Sequence, residues 1–340
     1  MIAALDRIPD RRGFLYVYHP AHRGNASLCR GSWEEKCEPV AQSNALSLGI
    51  ITTDALAEIS FPEKLAYRNR FLGTDMDSLE LLTDSDDLAR FCPPSTSRCQ
   101  EFARAFRDRP PERAIAFSLT GRSGASWRSD DTRRAAWRAL FECARQSGEL
   151  CRLAAVNDRL AASLYARFDQ RTAEAISALA RIARDGLEDE RFEQPELPMT
   201  RLRTDTFTGP TPERIPGARE IGTRELVSLI GRSEVALLDV WCGEETLPGA
   251  KCVFGAGLAY TDREADRKLD ELFLKLFDAV AAGRTVVIFS SNSTSWLSAN
   301  ATFRAARAGR AVHWYRGGIE AWRKAGLPLV PSAPVGAVVP

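Results

Sequence analysis

Short unbroken apolar runs alternate with longer stretches of helical period through the C-terminal half of the chain. Val235 to Val240 (VALLDV), Thr285 to Phe289 (TVVIF) and Ala311 to Tyr315 are β-branched or aromatic runs that predict buried strands. Between them, Leu269, Leu272, Leu276 and Val280 recur at helical spacing within Arg263 to Ala281, a helix laid on a sheet. Trp296 to Ala308 is a second helical stretch, rich in Ala. Ile319 to Lys324 starts a last helix, stopped by Gly326 and Pro328. Thr223 is placed to cap a helix from Arg224 to Leu229 through its side-chain oxygen. Ser290 to Ser295 is an all-polar turn between strand and helix, and Gly317-Gly318 is another turn.

The N-terminal half is less regular. Residues 13 to 18 (GFLYVY) predict a strand, and Ala45 to Thr53 a strand or the start of a helix. Asp84-Ser85-Asp86-Asp87 lacks the Gly and terminal Glu of a calcium loop, and reads as a helix N-terminus where carboxylates meet unpaired N–H groups. Gln100 to Phe106 predicts a helix. Arg113 to Ser118 and Ser123 to Trp127, joined at Thr120-Gly121, predict a hairpin. Asp130 or Asp131 caps a helix from Thr132 to about Gln146, ended near Gly148, and Cys151 to Val156 is a strand. The result is a small β-hairpin–α–β unit, with Trp127 and Trp137 read as core. Arg159 to Arg184 is a helical stretch whose Leu160, Leu164, Phe168, Ala175, Leu179 and Ile182 approximate one apolar face. Gly186 to Arg203, acidic and holding Pro195 and Pro198, reads as a linker, and Pro331 to Pro340 as a loose tail. The expected division is therefore 1–90 (α+β), 91–158 (the small module), 159–204 (helix and linker), 205–330 (the C-terminal domain) and 331–340 (tail).

At 340 residues the chain holds about two or three domains. Its 46 basic and 45 acidic residues nearly cancel, which argues against a nucleic-acid footprint and against attraction to an anionic membrane. No run reaches the length of a transmembrane helix. The first residues, MIAALDRIPDRRGF, lack the basic and apolar regions of a signal peptide, so read literally they imply a cytoplasmic protein. The eight cysteines imply the opposite. They fall into four close pairs, Cys29 with Cys37, Cys92 with Cys99, Cys143 with Cys151 and Cys242 with Cys252. Such spacing suits small-loop disulfides in an oxidising compartment, so a periplasmic or secreted location is expected, with cytoplasmic as the alternative. None is spaced Cys-x-x-Cys, and the three histidines, His19, His22 and His313, offer no second pair of ligands, so neither a metal nor a cofactor is expected.

The order of parts closing on GGIEAW and AGLPL resembles the rhodanese (sulfurtransferase-like) family over roughly residues 205–330. VALLDV matches the family's strand ending in an Asp, here Asp239, and Leu247-Pro248-Gly249-Ala250 its Ile-Pro-Gly-Ala turn. The stretch Trp296 to Ala305 (WLSANATFRA) and the segment Thr211-Pro212-Glu213-Arg214-Ile215-Pro216-Gly217-Ala218 are closer still to a bacterial subgroup with a Cys-x-x-Cys-Trp loop, associated with pyrroloquinoline-quinone-dependent catabolism. The resemblance implies α/β architecture, a parallel sheet flanked by helices, with Asp239 anchoring the loop after its strand. Residues 105–158 resemble a small cysteine-paired module of secreted bacterial proteins.

The resemblance breaks where sulfur chemistry would occur. A rhodanese carries sulfane sulfur on a thiolate at the start of its loop. Here the equivalent loop is Ser290, Ser291, Asn292, Ser293, Thr294, Ser295 and Trp296, with no Cys and no Arg or Lys to hold a thiosulfate-like anion. A serine hydroxyl forms no stable persulfide analogue. The expected function is that of a catalytically inactive rhodanese-like protein. Its loop, at a helix N-terminus suited to an anion, would bind a small anion or a protein partner, or the chain would serve as a scaffold. The alternatives are a sulfur carrier that uses a displaced cysteine, Cys242 or Cys252, or a Ser-rich loop acting on a phosphate or sulfate ester.

Overall fold

Continuous apolar runs become buried parallel strands, and periodic ones become the helices that cover them. The computed structural model describes residues 69, 71–72, 79–93, 97–182, 187–190, 199–204, 206–230 and 234–339, and the backbone of three strands nearer the N-terminus. Those three, β1 (Phe14–Tyr18), β2 (Ser27–Cys29) and β3 (Ser47–Ile51), form an antiparallel sheet in the order β2-β1-β3. They belong to a compact unit of their own, Met1–Ser60. The pair Cys29 with Cys37, and both His19 and His22, lie outside the described side chains.

Phe61–Pro340 form the second unit. A 3-10 turn over Ser85–Asp87 is capped by Asp84, whose carboxylate accepts from Asp86 N while Asp87 reaches back to Asp84 N. Helix α1 (Ser97–Ala105) follows, tied to the preceding turn by the Cys92–Cys99 disulfide. Strands β4 (Ala114–Ser118) and β5 (Ser123–Ser126) make the hairpin. Helix α2 (Thr132–Ser147) is capped by Asp131 and ends on Gly148 in a left-handed conformation. Strand β6 (Cys151–Val156) pairs antiparallel with β4, and the Cys143–Cys151 disulfide closes the α2–β6 turn.

Residues 159–184, expected as one helix, divide. Arg159–Leu160 is a short strand, β7, on the edge of the four-stranded sheet β5-β4-β6-β7, and helix α3 runs only from Ala162 to Leu179. The ladder outcompetes the helix there, because Leu160 N donates to Glu80 O and Ala161 N to Ala154 O.

The C-terminal elements are β8 (Arg219–Glu220), α4 (Thr223–Ile230), β9 (Val235–Asp239), β10 (Glu245–Thr246), β11 (Lys251–Phe254), α5 (Arg263–Ala281), β12 (Thr285–Phe289), α6 (Trp296–Arg307), β13 (Val312–Trp314), α7 (Gly318–Lys324), β14 (Val330–Pro331) and β15 (Pro334–Ala337). Six of the strands form one parallel sheet in the order β15-β11-β9-β12-β13-β8. The chain thus has the expected α/β class: a parallel sheet flanked by helices, preceded by an α+β region.

Two expectations change here. The tail is not loose: β15 is an edge strand on β11, and Val335, Ala337, Val338 and Val339 are buried. Its apolar side chains have the face of α2 and the sheet to pack against, which a Pro- and Val-rich sequence alone does not reveal. The cap on α4 also comes from elsewhere. Thr223 Oγ1 turns to Glu190 and to the Tyr315 hydroxyl (2.5 Å), while the N–H of Arg224 is met by Asp189 Oδ1 at 3.0 Å. The acidic stretch read as linker therefore supplies the carboxylates for the helix N-terminus.

The four-stranded and six-stranded sheets share a core. Trp137 of α2 stacks on Phe254 of β11 with centroids 4.3 Å apart. The Tyr165 hydroxyl donates to Pro334 O (2.7 Å) and accepts from Leu153 N (3.2 Å), joining β15 to β6. Tyr165→Phe keeps the ring and loses both bonds in a buried site, so we expect a destabilisation of about 1–3 kcal/mol, measured by urea unfolding. A variant of unchanged midpoint would mean that these two backbone groups find other partners.

Candidate functional site

Strands β9 and β12 run in register and end level, Asp239 opposite Phe289. The loops after them therefore share the C-terminal edge of the sheet, where open α/β sheets place ligands. One loop is Trp241 to Glu244, the other Ser290 to Ser295.

The six residues of the second loop have different fates. Ser290 is buried: its hydroxyl donates to Ser298 Oγ (3.1 Å), which also accepts from Trp314 Nε1 (3.1 Å). The carbonyls of Ser290 and Ser291 accept the N–H groups of Ile319 (3.0 Å) and Glu320 (2.8 Å) at the start of α7. This close approach requires Gly318, at φ +63°, where a Cβ would stand 2.4 Å from Ser290 O. Ser291 lines a cavity of about 340 Å³ with Trp241, Glu244, Glu245, Ile319 and Arg323. Asn292 folds the turn, its Oδ1 accepting from Thr294 N (3.1 Å) and Thr294 Oγ1 (3.0 Å).

A strap, residues 207–211, lies antiparallel along the outer side. Gly209 N donates to Thr294 O (2.9 Å), Trp296 N to Phe207 O (2.9 Å), Trp296 Nε1 to Pro210 O (2.9 Å) and Thr211 Oγ1 to Ser293 O (2.6 Å). Ser295 N donates to Asn292 O at 3.2 Å. The N–H groups of Thr294, Ser295 and Trp296 are thus donated within the chain, which leaves less of the expected anion cradle than the loop sequence implies.

The loop itself has no cation, but the fold brings cations to its flanks, Arg316 and Arg323 among them. Arg316, buried beside Thr211 with Nη2 on its carbonyl (3.1 Å), lines the cleft on the strap side. Arg323 lines the cavity at Ser291 and pairs with Glu245 at 3.1 Å. Local sequence could not flag either, since each arrives from beyond the next strand.

The facing loop is clamped from two directions. Asp239 Oδ1 accepts from Trp241 N (2.7 Å) and Cys242 N (3.1 Å). Asn69 Nδ2, from 173 residues upstream, donates to Cys242 O (3.0 Å) and Gly243 O (3.2 Å). Full burial pushes the Asp239 carboxyl up to about 6, against the opposing pull of the Thr246 hydroxyl and the two backbone N–H groups. Cys242 is bonded to Cys252, and both are completely buried.

The residues 222–325 match the family model of the rhodanese-like domain. A rhodanese-like domain is present. Comparison of the chain with curated proteins and with solved structures gives no match. The only two cysteines of the rhodanese-like domain are joined to each other, so it offers no free thiol to carry sulfane sulfur. The displaced-cysteine alternative fails on the same bond.

The WLSANATFRA stretch has a role in this rhodanese-like domain that is separate from chemistry. Ser298 joins Ser290 to Trp314. Asn300 exchanges bonds with Arg203 (N to Oδ1, 2.9 Å; Nδ2 to O, 2.8 Å) and donates to Gly257 O (3.0 Å). Arg304, 1% exposed, pairs with Asp266 at 2.5 Å and with Asp270, and donates to Leu258 O at 3.0 Å. Each polar residue fastens more than one surrounding segment to α6.

Proposed function

We propose that this protein is a pseudoenzyme, a binding or scaffold protein of the bacterial cell envelope built on a rhodanese-like domain. The observation that carries the reading is the nucleophile's position. No cysteine stands anywhere in Ser290–Ser295, and Cys242 and Cys252 are bonded together. The likeness to the Cys-x-x-Cys-Trp subgroup supports a placement near quinoprotein oxidation. Three disulfides among the described residues support an oxidising compartment such as the periplasm.

A protein segment suits the loop better than a small anion. Glu244 and Glu245 line the cavity at Ser291, where an anion would meet like charge, and the cleft on the strap side, at about 1280 Å³, exceeds the needs of a small oxyanion. On this reading, the module 91–158, the helix and linker 159–204 and the domain 205–330 are separate sequence units that share one core.

Thiosulfate–cyanide sulfurtransferase activity is expected to be absent, and Ser291→Cys is expected not to restore it beside two carboxylates. Turnover above the buffer blank in the unmodified protein would sink the reading. Crosslinking from a photoreactive residue at Ser293, in an envelope extract, should capture a discrete protein that is lost when Thr294 is replaced by Arg.

A further inference from the structure

The C-terminal end of β9 holds a polar group of residues that the proposed function does not use. Asp239, Thr246 and Ser332 are completely buried. One oxygen of each, Asp239 Oδ2, Thr246 Oγ1 and Ser332 Oγ, has no hydrogen-bond partner among the described residues.

Strand register places the three near one end of the sheet. Asp239 is the β9 partner of Cys252, and Cys252 is the β11 partner of Pro334, two residues past Ser332. Thr246 of β10 is opposite Val330 of β14. Ser332 N donates to Glu244 O at 3.1 Å, which carries that register two residues further. Cross-strand partners project to one side of a sheet, and so do residues two apart along a strand. The Thr246 and Ser332 side chains therefore face the same, buried side of the β10–β14 pair. The Thr246 hydroxyl is close enough to the Asp239 carboxyl to favour its charged form, yet among the described residues neither Asp239 Oδ2 nor Thr246 Oγ1 has a partner at hydrogen-bond geometry.

A buried polar atom without a partner costs about 1–3 kcal/mol, and native interiors rarely tolerate several together. Asp239 Oδ1 is already satisfied by Trp241 N and Cys242 N, so only Oδ2 needs a further donor.

We infer that Asp239 Oδ2, Thr246 Oγ1 and Ser332 Oγ together bind one internal water molecule. It donates to the carboxylate and to one hydroxyl and accepts from the other, and three bonds is the usual complement of a buried water. A metal ion is the poorer occupant: the site has a single carboxylate, where hard cations take about six or more oxygens. The water links the end of β9, β10 and the residue after β14. All three surround the Cys242 loop that walls the cavity at Ser291.

The test is oxygen-17 magnetic relaxation dispersion, which counts long-lived internal waters, on the full chain and on Thr246→Val/Ser332→Ala, with Thr246→Ser retaining the hydroxyl. The expected result is a count lower by one in the double variant and unchanged in Thr246→Ser. Equal counts in the two folded proteins would overturn the inference. If the double variant does not fold, a high-resolution crystal structure of the unsubstituted chain decides. A water peak within hydrogen-bond reach of all three oxygens supports the site. A direct Thr246–Asp239 bond with no peak, or a peak with metal-ligand distances, overturns it.

Discussion

Asp239→Asn is expected to make the protein more stable at pH 7.5, by up to about 3 kcal/mol, and to leave it nearly unchanged at pH 4. The carboxyl is completely buried, and its pKa rises from the ordinary 3.8 to about 6 in the folded chain. At about 1.4 kcal/mol for each pKa unit, that difference amounts to roughly 3 kcal/mol. The sign follows from proton linkage. Between the two values the folded state binds more protons than the unfolded one, so stability falls as pH rises through this window. Below about pH 4 both states hold the proton and the penalty is absent; above about pH 6 it is complete. Asparagine keeps an oxygen for Trp241 N and Cys242 N and never carries the charge. Urea unfolding of both proteins across pH 4 to 7.5 measures the difference. A variant equally destabilised at every pH would mean that burial does not dominate this carboxyl.

Arg304→Ala is expected to have the opposite and larger effect, a loss of about 3–5 kcal/mol, the usual result of breaking a buried ion pair from one side. The guanidinium is 1% exposed, and its partners Asp266 and Asp270 are 19% and 22% exposed. Burial lowers the pKa of Arg304 and the Asp266 hydrogen bond raises it again, so the three groups depend on one another. The alanine variant leaves Asp266 without its cation, leaves Asp270 with only the exposed Arg307 at 3.0 Å, and strips Leu258 O of its donor. Adding Asp266→Asn and Asp270→Asn should recover a large part of the loss, because the two groups that faced the guanidinium are then neutral and Arg307 is exposed to water. Thermal or urea unfolding of the single and triple variants tests this. A single variant within about 1 kcal/mol of the unsubstituted protein would show that the carboxylates rehydrate without resistance.

The C-terminal fold was legible because its signals are local. Thr285–Phe289 and Arg263–Ala281 appear in the structure with the boundaries that apolar runs and periodicity imply. Asp131 and Gly148 cap α2 as their side-chain chemistry directs. What was illegible depends on distant partners. The β15 strand exists because β11 and α2 offer it a surface, and Pro-Val-Gly-Ala carries no strand period of its own. The clamp from Asn69 and the caps from Asp189 and Glu190 cross 173 and 35 or fewer residues, with nothing in the neighbouring sequence to announce them. The site was half legible. The missing thiol could be read directly, but the strap bonded along the loop and the arrival of Arg316 and Arg323 could not.

The row Ser298, Asn300, Arg304 on α6 fastens the loop, the 203 segment and α5 to one helix without touching a substrate position. A chain can therefore exchange every sulfur-bearing residue of the loop and still be held to this row by the need to fold. The ten residues from Trp296 thus describe how α6 is anchored, and they say nothing by themselves about a reaction at the loop.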